Sequence, residues 1–164
     1  MSASTSIFVD LGTVITNGPN AATQAKALIS NGPINDYLGN LQSVKLHLQE
    51  VAVMVGLVKS VTASGDTANL ALLNKLLAAL NGTSTPSSLL ITDISTVITN
   101  GPNATTTANA SAPAGPIMDY LGMCASIKLH LQEVHNLFAL LISVTDSTDS
   151  ANLTLLTSLQ TGIA

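Results

Sequence analysis

The sequence predicts an all-α, internally duplicated helical bundle: two pseudosymmetric three-helix units with one long central helix each. Three observations predict it. Identical segments recur at one fixed offset, apolar residues step by three and four through the longest segment of each half, and turn residues separate the apolar stretches.

The repeat comes first because it governs the rest. Thr13-Val-Ile-Thr-Asn-Gly-Pro-Asn20 returns as Thr96 to Asn103, and Lys45-Leu-His-Leu-Gln-Glu-Val51 is matched by Lys128 to Val134. Asp36-Tyr-Leu-Gly39 matches Asp119 to Gly122, and Ala68-Asn-Leu70 matches Ala151 to Leu153. One shift of about 83 residues aligns the halves without a gap, with roughly half the pairs identical. Linker composition in Asn81-Gly-Thr-Ser-Thr-Pro-Ser-Ser88 sets the boundary. The expected units are residues 1–82 and 83–164, sharing one core.

In each unit the first helix is expected near Thr5 to Thr16 and near Pro86 to Thr99, the latter with Thr85 as cap and Pro86 at the first helical position. Asn-Gly-Pro ends both, since glycine accepts a left-handed turn and proline cannot continue the helix. The second helix is long, near Pro33 to Thr62. Ile34, Tyr37, Leu41, Val44, Leu48, Val51, Val55 and Val58 form an uninterrupted heptad seam, copied as Ile117, Tyr120, Cys124, Ile127, Leu131, Val134, Phe138 and Leu141. A second apolar line, Leu46, Val53 and Leu57, predicts that this helix is covered from two directions. The third helix follows Asp66 and Asp149, both natural N-caps. Ala21 to Ile29 is compatible with a short additional helix, whereas Thr105 to Ala114, rich in Thr, Ala and Pro, is expected to be a loop.

Composition narrows the function classes. Of 164 residues 46% are hydrophobic and only 9% charged, with a net charge of −4. Arginine is absent, and the side-chain cations are Lys26, Lys45, Lys59, Lys75 and Lys128 besides three histidines. Nucleic-acid binding needs clustered phosphate-neutralising cations, so no nucleic-acid partner is expected. The longest apolar runs, Val51 to Val58 and Leu137 to Ile142, fall well short of the roughly 20 residues of a membrane span. Neither a transmembrane segment nor a signal peptide is expected. Ser, Thr and Asn supply most of the polarity, a composition that leans toward secreted or cell-surface proteins. The glycosylation patterns at Asn81, Asn103, Asn109 and Asn152 read as chance matches, Asn152 falling in an expected helix.

The sharpest candidate site is the paired His-x-x-Glu, His47 with Glu50 and His130 with Glu133. Residues three apart share a helix face, so symmetry-related long helices would let two histidines and two carboxylates converge on one divalent metal. His135 offers a further ligand in the second unit only. Against this, di-metal bundles use Glu-x-x-His with extra carboxylates, and these residues lie off the seam. The plainer reading is a solvated His–Glu pair flanking the core. Tyr37 and Tyr120 occupy seam positions with their hydroxyls expected at the bundle edge. Asp36 and Asp119 fall in the first helical turn, and Asp10 and Asp93 read as solvated surface acids. Cys124, at a seam position and without a second cysteine, reads as a small buried hydrophobe. No catalytic residues and no organic cofactor are indicated: there is no Gly-x-Ser-x-Gly elbow, and Asn-Gly-Pro-Asn lacks a donor that a phosphate loop would use.

The sequence thus favours a non-enzymatic helical binding or structural module, secreted or surface-associated, that acts through partner binding or self-association. Two alternatives are a carrier of a small apolar ligand in a central bundle cavity and a metal-binding bundle using His47, Glu50, His130 and Glu133.

Overall fold

The computed structural model describes residues 6–29, 34–81, 89–113, 115 and 117–164. These form eight helices and, among the described residues, no strand: α1 (Ile7–Asn17), α2 (Ala21–Ala27), α3 (Tyr37–Val61), α4 (Thr67–Asn81), α5 (Leu90–Asn100), α6 (Ala104–Ser111), α7 (Tyr120–Val144) and α8 (Ser150–Ile163). The protein is a helical bundle.

Local chemistry sets the helix ends. Ser6 caps α1 by accepting from the Val9 N–H, and Asn20 and Asn103 cap α2 and α6 by accepting from the Thr23 and Thr106 N–H groups. Gly18 and Gly101 end α1 and α5 at φ 67° and 68°, a left-handed conformation that costs glycine nothing. The long helices begin later than the seam predicts. Asp36 and Asp119 are N-caps, not first-turn residues, and each carboxylate accepts from the N–H three residues on, at Gly39 and Gly122. A Cβ at either glycine would collide with that carboxylate, which explains the spacing Asp-Tyr-Leu-Gly. Ile34 and Ile117 are buried but precede the helices. Each long helix therefore has 25 residues, about 37 Å.

Two further expectations are corrected. The loop predicted from Thr105 to Ala114, of which Ala114 lies outside the described residues, is helical from Thr105 to Ser111 as part of α6, whose weak intrinsic propensity is overcome by the Asn103 cap and by burial of Thr106 and Ala110. Together with α2, this raises the count from three helices to four on each side of the predicted linker. The second helix group's first helix starts at Leu90, behind Leu89, which supplies no side-chain cap. Thr85, Pro86 and the rest of the predicted linker lie outside the described residues.

One apolar cluster draws on every helix. Its spine is the contact between α3 and α7, the most extensive in the molecule. Tyr37 at the start of α3 reaches Thr145 beyond the end of α7, and Tyr120 at the start of α7 reaches Thr62 beyond the end of α3, so the two helices run antiparallel. All their helical seam residues are buried, Cys124 and Phe138 included. Helices α1, α4, α5 and α8 cover the inner side of this pair. The outer side stays open. Leu46 and Val53 are 57% and 64% exposed, so of the expected second apolar line only Leu57 is covered, packed against the core. At about 100° per residue these positions lie opposite the seam, where no helix among the described residues packs.

Polar contacts interlock the first four helices with the last four, and they come in matched pairs. The Asn17 amide donates to the Asn152 side-chain oxygen (3.0 Å), and the Asn152 amide donates to the Gly18 carbonyl (2.7 Å). Asn100, Asn69 and Gly101 make the same two contacts at 3.0 and 2.8 Å. Asp149 and Asp66 begin α8 and α4, but their carboxylates serve the opposing group of helices. Asp149 accepts from the Asn20 N–H and the Thr23 hydroxyl, and Asp66 from the Asn103 N–H and the Thr106 hydroxyl. The Thr23 and Thr106 hydroxyl oxygens accept in turn from the N–H groups of Asp146 and Ala63. Asn69 and Asn152 are thus buried polar groups with full partners.

Truncating either asparagine strands a half-buried glycine carbonyl and the side-chain amide of Asn100 or Asn17. Asn69→Ala and Asn152→Ala are each expected to cost about 1–3 kcal/mol of unfolding free energy, measured by urea denaturation. A loss within error for both would show that the interlock is not stabilising.

Candidate functional site

The histidines of the two long helices meet. The rings of His47 and His130 lie 6.2 Å apart between centroids and are tilted by 44°. Although off the seam, they occupy the flank on which α3 and α7 face one another across the open side, and both are half-buried. Each Nδ1 stands close to the backbone carbonyl four residues earlier, 2.7 Å from Ser43 O and 2.8 Å from Ser126 O. A carbonyl only accepts, so Nδ1 carries the proton in both rings and Nε2 of the neutral ring keeps its lone pair.

The carboxylates are distributed differently. Glu50 and Glu133 are exposed. Glu50 shares a recess with Gln49, Val53, Met54 and His130, whereas Glu133 lines another with Leu129, Gln132 and His135. Met54 reaches across to α7, its sulfur accepting from the Ser126 hydroxyl at 3.9 Å. Among the described residues no group of three or more His, Cys, Asp or Glu is placed to hold one metal ion. The structure therefore brings the two histidines together and leaves the glutamates on the outer rim.

The remaining titratable groups have structural partners. The Tyr37 and Tyr120 hydroxyls are not at a bundle edge. They are buried, 2.8 and 2.9 Å from the Thr145 and Thr62 hydroxyls. Those threonines spend their protons on the Leu141 and Val58 carbonyls, so each tyrosine donates. Burial raises both phenols above their ordinary value, partly offset by the threonine contact, and Tyr120 reaches about 12. Burial likewise pushes the Cys124 thiol up to about 12, with a smaller push from Asp119. A thiol held neutral in this way is a packing residue, not a nucleophile. Asp93 is buried and lies 3.7 Å from Lys75, correcting its reading as a solvated acid. Asp146 is held well below the usual carboxylate range by the Thr148 N–H and hydroxyl and by Lys26 at 3.0 Å.

The residues that sequence reasoning missed are Thr23, Thr106, Asn69 and Asn152. Asn69 and Asn152 lie in a matched segment and Thr23 and Thr106 just beyond one, but nothing in a linear sequence says which helix each would meet.

Fold and site together define an all-helical bundle with a histidine pair between its two longest helices. No family model matches the chain, and no curated protein or solved structure does so. No described helix is long and apolar enough to cross a membrane.

The raised thiol and phenols fix the sign of a pH effect. Their neutral forms are favoured in the folded state, so this stabilisation is complete below the unfolded values, about 8.5 for Cys and about 10 for Tyr. It is lost as pH rises toward about 12. Thermal unfolding followed by circular dichroism should show a melting temperature falling through that alkaline window. In native protein at about pH 8 Cys124 should resist a chromogenic disulfide reagent that labels the urea-unfolded chain at once. Rapid stoichiometric labelling of the native chain would contradict its burial.

Proposed function

We propose that this chain is an internally duplicated, non-enzymatic helical module, with one repeat in residues 1–82 and the other in 83–164. We further propose that it acts by associating with a second copy of itself through the outer face of α3 and α7. Several features support the duplication: the sequence repeat, the equal lengths of α1 and α5 and of α3 and α7, and the paired hydrogen bonds that recur at the same offset. The non-enzymatic reading is supported by the burial and high pKa of Cys124 and by the exposed, separated positions of Glu50 and Glu133.

One observation carries the self-association: the exposed aliphatic row on the outer face, Leu46, Val53 and Leu129, each more than half open to solvent. Leu46 and Val53 stand two turns apart on α3, and Leu129 occupies on α7 the place that Leu46 has on α3, one residue before the histidine. Aligned apolar side chains on a rigid helix pair are a contact surface, because leaving them in water forgoes about 25 cal/mol per Å² of burial. A twofold contact places the same patch on both partners, and a face formed by two like antiparallel helices suits such an arrangement.

Light scattering after size exclusion, over a wide concentration range, should reveal a dimer. Leu46→Glu with Leu129→Glu should weaken it at least tenfold while leaving the unfolding free energy within about 1 kcal/mol, since both positions are exposed. A strictly monomeric wild-type chain at the highest concentration, or a dimer indifferent to both substitutions, overturns the proposal.

A further inference from the structure

We propose that His47 and His130 form a two-histidine clamp for a single divalent first-row transition ion such as Zn²⁺, held between α3 and α7 with water completing its shell. The inference is separate from self-association and rests on the histidine geometry alone.

Distance comes first. An imidazole nitrogen lies about 1.2 Å from its ring centre and a Zn–N bond is about 2.0–2.1 Å, so each ring centre would stand about 3.2 Å from a shared ion. Two rings on one ion then have centres about 5.2 Å apart at a tetrahedral angle and up to about 6.4 Å when opposed. The observed 6.2 Å lies inside that span, and closing to the tetrahedral value needs a shift of about 1 Å.

Orientation comes next. Both Nδ1 atoms are committed to carbonyls of their own helices, which leaves Nε2 as the ligand atom in each ring. A backbone carbonyl on the far nitrogen is also the partner that orients and enriches a metal-bound histidine. The two ligands come from different helices whose seams are fully packed, so the core fixes the helix spacing and the closure of about 1 Å falls to the half-buried imidazole side chains.

Access and charge agree with this. Both rings are half-buried, open enough for an ion that keeps waters. The Glu50 carboxylate shares the recess with His130 and favours a cation there. Lys45 and Lys128, two residues before each histidine, point about 200° round their helices and keep their charge away. Imidazole pairs suit zinc, nickel and copper, whereas calcium and magnesium demand oxygen ligands.

The test is calorimetric titration of Zn²⁺ into untagged, chelator-stripped protein. One ion per chain with micromolar affinity is expected, and Mg²⁺ should give no heat of binding. His47→Ala and His130→Ala should each weaken zinc binding tenfold or more, while His135→Ala changes it less than twofold. Should either alanine variant lose helicity, the wild-type histidine nitrogen spectrum decides. Zinc should move the Nε2 signals of His47 and His130 and leave those of His135 in place. Light scattering in the same titration should show no gain in mass. No saturable zinc binding, binding that survives the double variant, perturbation of His135 alone, or a zinc-bridged dimer would each overturn the clamp.

Discussion

The antiparallel contact of α3 with α7 is the constraint on which the rest of the structure depends. Its two ends are marked by Tyr37 on Thr145 and Tyr120 on Thr62. Midway between those marks lie Gln49 and Glu50 on one helix and Gln132 and Glu133 on the other. At that midpoint, residues with the same place in the two long helices approach one another, which is why His47 finds His130 and not a residue of different type. The seam of Leu, Val and Ile sets both the closeness and the register. A tyrosine at each end stops sliding, since its donated hydrogen bond is satisfied only when the opposite threonine is level with it.

Charge is scarce in this protein, and neutral polar groups provide the specificity that ion pairs provide elsewhere. Asn-Gly-Pro-Asn looks in isolation like a helix stop. In the fold it is a recognition turn whose two asparagines engage the Asp-x-x-Asn that opens the last helix of the opposing group. Because α1 and α2 fasten to α8, and α5 and α6 to α4, neither group of four helices satisfies all of its own polar atoms. The aliphatic seam makes association favourable. The asparagine, aspartate and threonine contacts make one arrangement better than its neighbours, since any slip would bury unpaired groups.

The seam was legible because a spacing of three and four over 25 residues has no other good explanation, and the Asn-Gly-Pro stops were legible because glycine and proline act locally. Helix α6 was not. Thr105, Thr106 and Thr107 are poor helix formers, and what rescues them, the bonds from Thr106 to Asp66 and Ala63, comes from residues about 40 positions away. The second apolar line on α3 was misread for a related reason. Periodicity reports that Leu46 and Val53 share a face, but not whether this chain supplies anything to cover it. The histidine pair fell between these cases: the spacing within each helix was visible, the crossing point that joins them was not.

The exposed aliphatic row and the histidine pair stand about 100° apart round each long helix, since Leu46 and Leu129 each precede a histidine by one residue. If a copy seated on the outer face extends over the histidine pair, it and the proposed ion compete for the same space. Two occupants that exclude each other are linked with a definite sign: whatever factor association takes from metal affinity, metal takes the same factor from association. The seam beneath is indifferent to the choice, as its residues are buried in either case. The inner stripe of the long helices holds the fold, and it is their remaining surface to which both proposals assign a binding role.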